Sequence, residues 1–154
     1  MTTPTRLPAV LVNAAQAALA REYEAVWGYP VLGPKLTTTG LITAAHSAGD
    51  VHLQVAFQLS GLLAGLGITP TTAQASYRLP APITDQSAAA RYALRLEDAC
   101  AAAWRFVVVA ASTGHDRSGL RTTSVDALTG CAVRATGWRM VTDPARPTVA
   151  FPGT

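Results

Sequence analysis

Six side chains in this sequence have the chemistry to hold or move charge inside a protein: Glu22, His46, Asp50, His52, Glu97 and, as a phenol beside them, Tyr29. Carboxylates and neutral imidazoles converging on a small volume are what iron or manganese require. In helical bundles a two-metal centre takes one Glu from each of two helices and a Glu-x-x-His pair from each of the other two. Glu22, His46, Asp50, His52 and Glu97 are therefore the candidate metal set, with a carboxylate oxidoreductase using iron or manganese as one possible function. The set is incomplete against that pattern. No Glu-x-x-His occurs in the segments that would form the second and fourth helices, and the second contains no glutamate. Folding the chain back on itself sets Glu97 opposite Val133 and Arg134, which favours an ion pair over a ligand. A glutamate on an apolar stripe is costly unless partnered, so Glu22 is expected to meet His52, His46 or Arg134. His46 and His52 are six residues apart on one helix and cannot both face it.

The elements that must position these groups are helical. The chain has 154 residues, 49% hydrophobic and 14% charged, enough for one domain with a core of its own. Its richness in alanine favours helix. Apolar steps of three and four predict helices over about 8–32, 38–66, 85–111 and 118–140, with an extended proline-rich tail over 144–154. The first carries the stripe Leu11, Ala15, Ala18, Glu22, Ala25, Tyr29 and Leu32; Pro30 is expected to kink or tighten its last turn. Thr37, Thr38 and Thr39 offer a cap for the second helix and Asp85 one for the third. Gly61 and Gly65 are spaced for close helix approach.

Short links make helices one and two, and three and four, antiparallel hairpins. The proline-rich link between the pairs, roughly 17 residues, can span ~55 Å if extended. The second helix is only ~42 Å long. That link can carry the chain back along the bundle, so the expectation is an all-α four-helix bundle of two hairpins joined by a long crossover.

With those segments in place, "LAREYEAVWGYPVLGPKL", "LEDACAAAW" and "VRATGWR…AFPG" resemble an actinobacterial ferritin-like domain family of unknown function, over nearly the whole chain. The resemblance implies a ferritin-like four-helix bundle without an assigned activity. The spacing from Glu22 to Tyr29 also resembles the glutamate and tyrosine of the first ferritin helix.

Other chemistry is not signalled. There is no Gly-rich phosphate loop, no CxxC, no HExxH and no serine in an elbow context. Cys100 and Cys131 lie in apolar helical segments and are expected as reduced core thiols. The net charge of +3 rests on scattered arginines, with Lys35 the single lysine, which argues against a nucleic-acid surface. The start lacks a signal-peptide pattern, and the apolar run from Val51 to Ile68 is broken by His52, Gln54, Gln58 and Ser60. The expectation is a cytoplasmic protein with no membrane partner. The leading functional expectation is a non-catalytic binding or interaction protein with a degenerate metal site. Trp27, Phe57, Trp104, Phe106 and Val108, apolar residues outside the main stripes, suggest a homodimer. A small-molecule pocket lined by Tyr29, Trp104 and Trp138 is a further possibility, its ligand unnamed.

Overall fold

A computed structural model describes residues 7–112 and 119–154. The chain forms four helices: α1 (Ala9–Leu32), α2 (Thr39–Gly65), α3 (Gln86–Ala111) and α4 (Leu120–Thr142), with no strand among the described residues. The predicted start of the fourth helix at Ser118, the turn holding His115 and Asp116, and the first six residues lie outside them.

Every member of the predicted α1 stripe is buried, from Leu11 to Leu32. Pro30 does not break α1. The tightening falls just beyond it, in a 3₁₀ turn over Gly33–Lys35. At the head of α2 no threonine side chain caps the helix. Instead Gln86, the first residue of α3, accepts from the amides of Thr37 and Thr38 at 2.8 and 2.9 Å. Asp85 caps α3 as expected, accepting from the Ala88 amide at 2.8 Å. Gly67, at φ +75°, ends α2, and the Ile68 amide bonds back to the Leu63 carbonyl.

The directions of the helices follow from paired residues. His52 meets Glu22, and Gly49 lies against Tyr29, so α1 and α2 are antiparallel. Glu22 meets Trp104 while Tyr29 meets Glu97, so α1 and α3 are antiparallel too. Hence α2 and α3 run parallel, and the link over 66–85 must travel the length of the bundle. It does so along α1. Near its start, Gln16 donates to the Thr69 carbonyl and accepts from the Thr71 amide. Farther on, the Tyr77 ring sits 5.8 Å from Trp27. At its end lies Gln86 beside Thr37. The two-hairpin crossover topology is the observed one.

The close helix contact lies elsewhere than predicted. A Cβ on Gly61 or Gly65 would meet nothing within 4 Å, whereas one on Gly28 would come within 2.6 Å of Leu96. Gly28 is where α1 and α3 approach. The tail makes a second such contact: Gly153, at φ +80°, lies where a Cβ would stand 2.6 Å from the Ala101 carbonyl oxygen. Trp27 is partly covered by Tyr77, and Trp104 is fully buried. Neither belongs among the free apolar residues. Phe57 and Phe106 remain exposed.

A candidate functional site: a buried polar layer drawn from all four helices

At mid-height the apolar core is interrupted. Glu22 from α1, His52 from α2 and Glu97 from α3 are each 0–1% exposed. Around them stand Tyr29 from α1, Cys100 and Trp104 from α3, and Cys131, Arg134 and Trp138 from α4. Their positions follow from helical phase. Trp104 lies two turns beyond Glu97 on α3, and Trp138 one turn beyond Arg134 on α4, so each repeats the inward face of the charge before it.

His52 is the hinge of the layer. Its Nδ1 lies 2.6 Å from Glu22 Oε2 and its Nε2 3.1 Å from Glu97 Oε1. Both ring nitrogens face acceptors, which only the doubly protonated ring satisfies. Burial alone would lower the pKa of this imidazole, but its bonds and charge interactions with Glu22 and Glu97 outweigh that and raise it to about 10. The remaining Glu22 oxygen accepts from the Trp104 indole N–H at 2.6 Å.

Glu97 is more crowded. Its Oε1 accepts from the Tyr29 hydroxyl at 2.5 Å and from the Arg134 Nε at 2.9 Å, besides facing His52. Its Oε2 is buried without a partner. Burial pushes the Glu97 pKa up, yet His52 and Arg134 together hold it below the ordinary carboxylate range. The Trp138 N–H donates to the Tyr29 oxygen at 3.0 Å, and burial with the adjacent Glu97 charge raises the phenol well beyond its usual range. Arg134 also reaches Cys131 Sγ at 3.3 Å. Both cysteines are buried free thiols; their mutual hydrogen bond, then burial, drives Cys100 well up in pKa.

Three of the five sequence candidates, Glu22, His52 and Glu97, thus meet in one cluster. His46 and Asp50 do not. With 3.6 residues per turn, Asp50 lies about 160° and His46 about 120° around α2 from His52. Both are exposed and line an outer groove between α1 and α2 instead. Tyr29, Trp104 and Trp138, expected to line a small-molecule pocket, are all buried in this layer. All three rings are committed to the layer's bonds, and Tyr29 also lines the α1/α2 groove. Among the described residues, Glu22, His52 and Cys100 offer one donor atom each within 4.8 Å of one another, the only such trio. Cys100, expected only as a reduced core thiol, joins the cluster because it stands three residues after Glu97 on the same helix face. No helix among the described residues is long and apolar enough to cross a membrane.

The chain is similar to a solved structure, a conserved hypothetical protein, rv2844, from Mycobacterium tuberculosis. The two share 31% identity at a TM-score of 0.77, covering 86% of this chain and 96% of that one. No curated protein matches the sequence. The model of a family described as a domain of unknown function, DUF4439, matches residues 14–154, and the chain belongs to that family.

Proposed function

We propose that this protein is a ferritin-like bundle that works without metal redox chemistry, as a binding or interaction module whose former metal layer is held together by its own side chains. The observation that carries this reading is Arg134. From the fourth helix the layer receives this guanidinium, paired with Glu97, whereas a two-metal centre would need a carboxylate or imidazole from that helix. With His52 engaged at both nitrogens, the layer balances two carboxylates against two cations and leaves few lone pairs for a metal. The crossover topology supports the ferritin-like assignment.

Elemental analysis of protein purified from cells supplemented with iron and manganese tests the reading. The expected result is sub-stoichiometric metal and an unchanged melting temperature when either ion is added. Stoichiometric iron or manganese would restore the alternative, an iron or manganese carboxylate oxidoreductase. That alternative draws its support from the Glu22, His52 and Cys100 donor trio and the unpartnered Glu97 Oε2. The exposed rings of Phe57 and Phe106 support a homodimer, for which light scattering at micromolar concentration should return twice the chain mass.

A further inference from the structure

The groove between α1 and α2 encloses about 670 Å³, within the range that holds a small organic ligand. Its walls are apolar: Val26, the rings of Pro30 and Pro34, and Leu53. Its polar character has one sign. Among the described residues Asp50 is the only carboxylate lining it, and no lysine or arginine does so.

The backbone adds to that bias. Val26, Pro30 and Pro34 succeed one another at one-turn spacing on the wall. Proline has no N–H, so Pro30 cannot donate to the Val26 carbonyl, nor Pro34 to the Pro30 carbonyl. Two carbonyls on the groove's own stripe therefore lack their helical donors. They lie near the negative end of α1, whose own last turn contains no basic residue, Lys35 following in the 3₁₀ turn without lining the groove. Asp50 and these carbonyls make a surface that accepts hydrogen bonds.

We infer that this groove binds a small organic ammonium ion, a primary or secondary amine carried on an apolar body. The inference rests on the reading of the protein as a binding module and gives that module a site. An ammonium supplies both the charge that Asp50 lacks and the N–H donors that the two carbonyls lack; an alcohol supplies only part of this, and a carboxylate is repelled.

Isothermal titration with phenethylamine, phenethyl alcohol and phenylpropionate separates the three. The amine should bind, the alcohol about tenfold or more weaker, and the acid not measurably. Asp50→Asn should weaken the amine about tenfold. Pro30→Ala, which returns an N–H to the Val26 carbonyl, should weaken it severalfold while leaving the fold intact. Gly33→Leu should weaken or abolish binding: Gly33 lines the groove, has helical dihedrals, and a Cβ there meets nothing within 4 Å, so the added bulk at the wall is accommodated without strain. Melting curves confirm that each variant is folded. Equal affinity for all three probes, no amine binding at millimolar concentration, or an unchanged Asp50→Asn variant would overturn the inference. Stoichiometric iron or manganese beside intact amine binding would sink the non-catalytic reading alone; a metal-free protein that ignores the amine would sink only the groove.

Discussion

Replacing Arg134 by methionine is the sharpest perturbation of the buried layer. Methionine keeps much of the apolar stem and removes the charge, so the change isolates the guanidinium's effect on Glu97. Removing one partner of a buried ion pair costs about 3–5 kcal/mol when the other charge is left uncompensated. Two features reduce that here. Glu97 keeps His52 at 3.1 Å and Tyr29 at 2.5 Å, and the Arg134 side chain is 21% exposed and so partly screened. The expected loss is about 2–3 kcal/mol. For a chain of this size that is a fall in melting temperature of about 5–10 °C. Urea unfolding supplies the free energy, with an unchanged m-value showing that the native and unfolded states are otherwise alike. A double-mutant cycle with Glu97→Gln then isolates the pair, which should couple by about 1–3 kcal/mol. A loss under about 0.5 kcal/mol, or additive single changes, would mean that Arg134 does not balance Glu97, and the account of the layer would be wrong.

The remaining predictions concern pH, the thiols and the tail. Because the His52 pKa rises from 6.5 unfolded to about 10 folded, its contribution is complete below pH 6.5 and drains away as pH climbs toward 10. Glu97 is shifted the other way, so its contribution is lost on the acid side, as pH falls below the ordinary 4.5 and through its depressed folded value. Stability should therefore peak between about pH 5 and 6.5 and fall by about 2 kcal/mol between 6.5 and 8.5. His52→Gln should flatten that alkaline arm; a wild-type curve already flat there refutes the assignment. Unfolded thiols begin to titrate toward the top of this window, and Cys100, whose pKa is raised in the fold, steepens the limb there and beyond. Native protein should leave Cys100 and Cys131 unreactive to a thiol reagent that labels both in denaturant, and labelling at the native rate of an exposed cysteine would contradict their burial. Gly153→Ala should release the tail from α3, raising protease cleavage over 144–154 with little change in melting temperature. An unaltered digestion pattern would show that the backbone contact with Ala101 is not what holds it.

How much of this was legible in the sequence depends on what each residue's position constrains. The α1 stripe was readable because seven inward positions repeat every three or four residues, and a glutamate in such a row announces itself. The crossover was readable from the length and proline content of one link. The pairing of Glu97 with Arg134 followed from counting residues back from a turn. Counting gives height along a bundle, however, and not rotation about a helix. His46 and Asp50 share the level of Glu22 closely enough to be drawn into the set, yet their phase turns them outward. Trp104 was misplaced for the converse reason: its bulk outside the main stripe suggested a surface, while the second row of α3 is also buried. Gly28 and Gly153 carried no pattern at all, since each is required by a neighbour distant in sequence.

The four charges of the layer divide between the hairpins in a telling way. Glu22 and His52 belong to the first, Glu97 and Arg134 to the second, so each half is electrically self-sufficient before the two meet. The bonds from Trp104 to Glu22, from Tyr29 to Glu97 and from His52 to Glu97 then act between halves as a docking key. A slip of one helical turn would break all three at once. The chain is thus organised as two separable pieces tied by a strap over 66–85, and a cut in that strap should leave complementary fragments able to find each other in a single alignment.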